Sequence, residues 1–165
     1  MAYPATPTGF QEYLSASGVK AVSAEAMIHP HHPGLAARLG FVDFLPPRAW
    51  WPRGAALALL TQEIDSHIAR PAYVRNWWRP QVYNLNPKVG GAKNGDHPTA
   101  NAVDLDYASV ADRMRAELFL RGIERQCPWM QLSLGLGAQT THVGIASPHG
   151  HREWHYAGWS PAHAV

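Results

Sequence analysis

Apolar residues recur at spacings of three and four in two stretches of the chain, and each stretch predicts an amphipathic helix. The first stretch is 53–68, directly after Pro52, and its apolar positions are Leu57, Leu60, Ile64 and Ile68. The second is 107–122, and its apolar positions are Val110, Met114 and Leu118. We expect Asp106 to cap the start of the second helix and Gly122 to end it.

Shorter apolar or alternating runs predict β-strands. They cover residues 72–75, 102–106, 131–134 and 140–145. The segment 84–95, rich in Asn, Gly, Pro and Lys, is expected to be a loop. Strands mixed with one or two long helices predict an α+β fold, in which a small antiparallel sheet has helices packed on its outer face.

The first fifty residues differ in composition from the rest. Residues 1–50 are rich in Pro, Ala and His and predict only a short helix, around 10–15, so we expect an N-terminal arm or small lobe before a domain at 51–165. Three histidines, His29, His31 and His32, alternate with prolines that hold the backbone extended. With no carboxylate at a useful spacing, they predict an exposed loop more than a metal site.

Composition excludes several classes of protein. The net charge of +2 from scattered Lys and Arg is too small to indicate nucleic-acid binding, although a mild basic bias suits a polyanionic surface such as a cell wall. The single Cys127 excludes an internal disulfide. The longest apolar run, 55–60, is far shorter than the roughly 20 residues of a membrane-spanning helix. Because residues 1–8 also lack the features of a secretory signal, we expect synthesis in the cytoplasm.

The segment 90–104 contains the strongest chemical signal. Behind a glycine-rich turn, His97 and Asp104 stand seven residues apart, and the predicted strand 140–145 adds His142. Imidazole nitrogen and carboxylate oxygen suit zinc, and three protein ligands leave a fourth position open for water or substrate. Such a site lowers the pKa of a bound water and polarises a carbonyl, which points to hydrolysis of an amide.

The residues around these ligands resemble a known family, the zinc D-alanyl-D-alanine carboxypeptidases and related peptidoglycan peptidases of the M15 type, especially the branch of bacteriophage lysins. The resemblance covers residues 55–159, roughly two thirds of the chain. The matching positions are Trp78-Arg79, Asn84 or Asn86, Val89-Gly90-Gly91-Ala92, His97, Ala102, Asp104, His142-Val143 and Arg152-Glu153-Trp154.

The resemblance implies a role for each of several residues. It implies a D-alanyl-D-alanine carboxypeptidase or hedgehog-like fold, with His97, Asp104 and His142 as zinc ligands. It also implies that Arg79 is a catalytic and substrate-binding cation, which receives a substrate carboxylate or polarises the scissile carbonyl. A planar guanidinium suits that task because it makes two parallel hydrogen bonds.

Several positions depart from the family pattern. Gly95 stands in place of Ser, and Ala100 stands in place of Gly. The usual acidic general base is missing, since Gln139 lies three residues before the third ligand and Gly144 two residues after it. Loss of such a base typically costs a factor of about 10² to 10⁴ in rate.

Three explanations of the missing base stay open. Glu153 folds towards the metal as the catalytic base, or a tail histidine takes that role, or the alignment near Gln139 is slipped. The candidates in the tail are His149, His151 and His155.

Other side chains are expected to support the site. We place Asp96 and Gln139 beside the ligands, with Asp96 on the far nitrogen of a ligand imidazole. Trp78 is expected to border the cleft and bind substrate, and Trp154 to lie in the core. The remaining candidates for a substrate groove or for core packing are Trp77, Trp129 and Trp159.

The expected function is a zinc-dependent peptidase that acts on the peptide stems of peptidoglycan at the bacterial cell wall. The alternative is a virion or envelope protein that keeps the zinc fold for structure or wall binding and has lost turnover. In either case, residues 1–50 are candidates for docking onto a larger viral particle. A metal-storage protein is a weaker alternative, because the ten histidines are scattered.

Overall fold

The computed structural model describes residues 3–162 and shows an α+β fold with one five-stranded sheet. Its α-helices are α1 (Pro7–Ala16), α2 (Ala24–Ile28), α3 (Pro33–Arg38), α4 (Trp51–Asp65), α5 (Gln81–Asn84) and α6 (Val110–Gln126). Its strands are β1 (Tyr73–Asn76), β2 (Ala102–Asp106), β3 (Ser133–Leu136), β4 (Thr140–Gly144) and β5 (Arg152–His155). Within residues 3–162, every helix is too short or too polar to cross a lipid bilayer.

The sheet is mixed, so the expectation of a purely antiparallel sheet is corrected. Its strand order is β1-β2-β4-β3-β5, and every neighbouring pair is antiparallel except β3 and β5. The chain leaves β4, passes β3 and adds β5 on the far side of β3. Because the chain reverses direction after β4, β5 runs parallel to β3. Strand β5 itself was not predicted from the sequence.

Alternation along the strands divides the sheet into an apolar face and a polar face. On the apolar face, Val103, Val143 and Leu134 are paired across β2, β4 and β3, and all are buried. On the opposite face, Asp104 is paired with His142, and the same row continues through Gly135 to Trp154 on β5. The row of predicted ligands therefore lies on the polar face.

The core packs against the apolar face and includes side chains from the first fifty residues. Phe10, Leu14 and Met27 belong to the same buried cluster as the central strands and α4. Phe10 stacks on Trp77 with ring centroids 5.3 Å apart. Helix α1 confirms the short helix predicted at 10–15, and α2 and α3 were not predicted. The proposed domain boundary after residue 50 stays a prediction.

Most of the other predicted elements are confirmed with small changes at their ends. Helix α4 ends three residues before the predicted end, and β1 lies one residue later than predicted. The prediction of β2 is confirmed at both ends, and β4 is one residue shorter than predicted. Strand β3 is shifted by two residues towards the C-terminus.

Helix α6 was predicted in the right region but with the wrong cap, end and buried face. Ser109 caps it, since its side chain accepts from the amide of Asp112, and Gly122 lies inside the helix. The predicted apolar stripe faces outward, with Val110 39% and Leu118 36% exposed. The buried face instead includes the charged residues Arg113 and Glu117, so an apolar pattern alone could not identify it.

Those charged residues form a buried ion-pair network between α6 and β5. The Arg113 guanidinium is fully buried and is paired with Glu117. The other oxygen of Glu117 accepts from Arg121 at 3.0 Å, and Arg121 makes two hydrogen bonds to Glu153 on β5. Arg113 also donates to the backbone carbonyl of Ser160. The network therefore attaches β5 and the chain that follows it to α6.

Candidate metal centre

The side chains of His97, Asp104 and His142 meet at one point on the polar face of the sheet. His97 Nε2 lies 3.1 Å from Asp104 Oδ1 and 3.1 Å from His142 Nδ1, and the latter two atoms are 3.0 Å apart. Ligands about 2.05 Å from a tetrahedral zinc ion stand about 3.3 Å apart. The three atoms thus match a group that could hold a metal ion.

Local backbone structure explains how these residues meet. Asp104 and His142 are directly paired across β2 and β4, so their side chains are neighbours on one face. His97 begins a 3₁₀ turn, His97–Thr99, which ends at Ala100 in the left-handed conformation with φ 58°. This turn brings the chain back towards β2 and places the His97 ring over the paired residues.

Each candidate ligand is oriented by a further contact. His97 Nδ1 donates to the backbone carbonyl of Trp77 at 2.6 Å, which leaves the Nε2 lone pair free for a metal. His142 Nε2 lies 3.4 Å from Asp96 Oδ2, which selects Nδ1 as its ligand atom. Asp104 Oδ2 accepts from Asn76 Nδ2 at 3.3 Å. These contacts orient the donor atoms of all three side chains towards one point.

Asp96 lies where the sequence analysis placed it, on the far nitrogen of a ligand imidazole. It is 1% exposed and accepts hydrogen bonds from Ser133 at 2.7 Å, Ser147 at 2.8 Å and Arg152 at 2.9 Å. Gly144 makes room for it, since a Cβ at that position would collide with Ser133 Oγ and lie 3.1 Å from Asp96 Oδ2. The Asp96 carboxylate thus occupies the space beside Gly144.

The Asp96→Asn variant tests this support of His142. We expect metal affinity to fall by about 10- to 100-fold, the usual cost of losing such an outer hydrogen bond. The measurement is competition for zinc against a chelator of known affinity. Ser147→Ala is the matched control, because it removes one partner of Asp96 without removing the carboxylate. Equal affinities for the Asp96→Asn variant and the unaltered protein would contradict the assigned role.

The electrostatics of the metal-free site follow from burial and from the two carboxylates. Burial lowers the pKa of His97 to about 4, which leaves this imidazole neutral at pH 7. Burial also acts on His142, but Asp104 and Asp96 outweigh it and raise its pKa. Burial opposes ionisation of Asp104, yet the two imidazoles hold its pKa well below the usual range. Of the two imidazoles, His142 therefore binds a proton more tightly than His97.

The candidate ligands lie in a cleft of about 770 Å³ whose walls include Arg79. The Arg79 Nε is buried without a hydrogen-bond partner, and no carboxylate in residues 3–162 lies within ion-pair distance of its guanidinium. Burial lowers the pKa of Arg79 and the charge of Asp104 opposes that shift. The chain thus presents a partly buried cation in the same cleft as the candidate ligands, available to an anionic ligand.

Two tryptophans exchange the positions expected for them. Trp154 lines the cleft, with its ring centroid 5.0 Å from that of His142, and is not a core residue. Gly135 permits this arrangement, because a Cβ there would collide with the indole. Trp78 packs between the two buried clusters and donates to the Pro98 carbonyl at 3.2 Å. Trp78 is not among the residues that line the cleft, and its expected substrate contact stays a prediction.

Of the other tryptophans considered for a groove, Trp77 is buried in the core and Trp159 packs against that core. Trp129 is 76% exposed.

The proposed base Glu153 does not reach the metal centre. It alternates with Arg152 and Trp154 along β5, so its side chain lies on the opposite face and pairs with Arg121 of α6. Gln139 also lies away from the ligands, exposed in the turn before β4. Both expectations are therefore corrected. Strand alternation directs Glu153 out of the cleft, and the turn directs Gln139 out of it.

The tail histidines are likewise outside the cleft lining. His149 contacts the Asn94 carbonyl, His151 pairs with Glu124 at 2.8 Å, and His155 pairs with Glu153 and stacks on Trp159. Asp106 was expected to cap a helix. It instead pairs at 2.7 Å with Arg75, a residue that lines the cleft.

Two cleft residues were missed by the sequence analysis. His31 and His32 have exposed side chains, as expected of that loop, but they line the same cleft as the three ligands. Their segment is attached there because the His32 amide donates to the buried Tyr83 hydroxyl at 3.0 Å. No local spacing could reveal this proximity, since the contact joins positions 51 residues apart.

No model of a known protein family, no curated protein and no solved structure matches this chain.

Proposed function

We propose that this protein is a zinc-dependent peptidase that hydrolyses peptide bonds in the stem peptides of peptidoglycan. One observation supports this most strongly. The nitrogen and oxygen atoms of His97, Asp104 and His142 converge to within 3.1 Å of one another, in a cleft that also presents Arg79, which has no carboxylate partner among residues 3–162. A metal centre with three protein ligands next to a free cation suits hydrolysis of an acidic substrate.

The donor set favours zinc over other divalent cations. Two imidazoles and one carboxylate match the ligands of catalytic zinc sites, whereas magnesium and calcium prefer oxygen ligands alone. When bound, zinc supplies a Lewis acid that polarises a carbonyl and lowers the pKa of water at its open position.

The residues of the chain have separate tasks in the proposed reaction. Asp96 and the Trp77 carbonyl hold the two imidazoles in the tautomers that direct a lone pair to the centre. Arg79 anchors a substrate carboxylate with paired hydrogen bonds, and burial strengthens that interaction by excluding water. Trp154 and Tyr156 form one wall of the cleft, against which a peptide would lie.

The choice of peptidoglycan rests on the resemblance to the M15-type peptidases, and details of the backbone fit the motif that carries this resemblance. Ala100, where that family has glycine, adopts a left-handed conformation that favours glycine. In the Gly-Gly pair, Gly90 has φ 66°, and a Cβ on Gly91 would collide with Asn84. The small residues of the resembled motif thus lie at positions where the backbone conformation or the available space favours a small residue. The hedgehog-like fold implied by the resemblance is part of this proposal.

Digestion of purified murein tests the proposal. Zinc-loaded protein is incubated with murein, and the released muropeptides are identified by mass spectrometry. We expect new peptide fragments that disappear on chelation and return when zinc is restored. The His142→Ala variant serves as the matched negative control. Absence of any new fragment from the zinc-loaded protein would contradict the proposal.

The Arg79→Lys variant tests the anchoring role of the free cation. We expect kcat/KM to fall by about 10- to 100-fold, because the variant keeps the charge and loses the second parallel hydrogen bond. The matched control is Arg75→Lys, since Arg75 also lines the cleft but is engaged by Asp106. An Arg79→Lys effect no larger than that of Arg75→Lys would contradict the assignment.

A second candidate function is a zinc-fold virion or envelope protein with weakened or lost turnover. One observation favours it: the carboxylates that line the cleft are Asp96 and Asp104, and both are already engaged. Murein digestion separates the two functions, since this candidate predicts bound zinc, binding to murein and no cleavage. Docking of residues 1–50 onto a larger particle belongs to the same proposal.

A further inference from the structure

The cleft contains ionisable groups that the metal centre does not use. The lining residues include His31 and His32, whose ring centroids are 4.4 Å apart, together with Tyr83 and Tyr156. Asp104 is a candidate ligand, and Asp96 accepts hydrogen bonds from Ser133, Ser147 and Arg152. Among the residues that line the cleft, no carboxylate remains to act as a proton acceptor.

The imidazoles are better proton acceptors than the phenols. Burial raises the pKa of both Tyr83 and Tyr156, so each phenol stays protonated at neutral pH. An imidazole is the side chain whose ordinary pKa lies closest to neutral, which suits general-base catalysis.

The position of the histidine pair is defined by the fold. Pro30 and Pro33 restrict the backbone on either side, and α3 begins at Pro33. The His32 amide donates to Tyr83, whose ring is fully buried against Phe44. The backbone is therefore anchored, while both imidazoles are exposed to the cleft.

We propose that the His31–His32 pair supplies the general base that the sequence lacks at Gln139 and Gly144. The inference rests on the proposed peptidase function. A neutral imidazole nitrogen accepts a proton from the water whose oxygen forms the new C–O bond to the scissile carbonyl. The C–N bond then breaks, and the imidazolium returns that proton to the leaving nitrogen. The products are a carboxylic acid and an amine, and the imidazole is regenerated.

The charges near His31 are compatible with this role. Burial, His32 and Arg75 on β1 lower its pKa, while Asp106 and Asp104 on β2 oppose that shift. The net direction keeps His31 neutral at pH 7, as a proton acceptor must be.

The test compares murein cleavage by the unaltered protein, the double variant His31→Ala/His32→Ala and the control His29→Ala. His29 is an exposed histidine in the same segment that does not line the cleft. We expect the double variant to lose about 10²- to 10⁴-fold in kcat, with zinc affinity unchanged. Free imidazole added to the solution should restore part of the lost rate. The His29→Ala variant should keep the rate of the unaltered protein.

Each other outcome overturns the inference. Full activity in the double variant would overturn it and leave the peptidase function standing. A rate loss accompanied by loss of zinc would show that these histidines bind metal. A loss that imidazole does not restore would assign them a structural or binding role. If the unaltered protein does not cleave murein, the proposed function fails and this inference fails with it.

Discussion

The Asp104→Asn variant is expected to lose tight metal binding while keeping its fold. The carboxamide preserves the shape of the side chain but removes the anionic oxygen that lies 3.1 Å from His97 Nε2 and 3.0 Å from His142 Nδ1. Losing an outer partner of a ligand costs about 10- to 100-fold in affinity. Losing a ligand itself should cost more than about 10²-fold on the same scale.

The control for this variant is Asp106→Asn on the same strand. Both substitutions remove one negative charge from the same face of β2, but Asp106 contacts Arg75 and not the imidazoles. Zinc per chain after dialysis should fall towards zero for Asp104→Asn and stay at one for Asp106→Asn. Retention of zinc by the Asp104→Asn variant would remove Asp104 from the ligand set.

The Glu117→Ala variant is expected to lose about 3–5 kcal/mol of the free energy of unfolding, because it leaves a buried cation without its partner. Arg113 is 0% exposed and Glu117 is 1% exposed, so water cannot replace the missing carboxylate. Arg121 would lose a partner as well, although its contact with Glu153 remains. Denaturant unfolding followed by circular dichroism measures the change.

The matched control lies on the same helix. Arg115 is 56% exposed and lies 3.6 Å from Asp112, so water can replace its cation, and its removal should cost less than about 1 kcal/mol. If Glu117→Ala and Arg115→Ala had equal effects, the buried network would not stabilise the fold as argued. The difference in unfolding free energy between the two variants shows how much burial of the cation adds to the effect of losing an ion pair.

The candidate ligands could be predicted from the sequence because several features coincide, although the spacing of His97 and Asp104 is a weak signal by itself. Strand alternation in 102–106 and 140–145 places Asp104 and His142 on a face, and the glycine-rich segment indicates a turn that positions His97. The role of Asp96 followed from chemistry, since a ligand imidazole needs an acceptor on its far nitrogen. In the structure, Asp104 contacts both imidazoles at 3.0–3.1 Å, and Asp96 lies 3.4 Å from the far nitrogen of His142.

The features that the sequence could not predict depend on contacts between residues that are far apart in the chain. Glu153 was placed near the metal because β5 was not recognised, and an unrecognised strand gives no alternation to assign faces. The wrong face of α6 was chosen because the buried Arg113 and Glu117 satisfy each other, a pairing that hydrophobic periodicity does not register. His31 reaches the cleft through tertiary packing of a segment with no periodic pattern.

The most direct test of the metal centre is anomalous diffraction at the zinc edge from crystals of zinc-loaded protein. We expect one anomalous peak about 2.0–2.2 Å from His97 Nε2, Asp104 Oδ1 and His142 Nδ1, with a fourth position open to the cleft. A peak elsewhere, or no peak between these three side chains, would contradict the account.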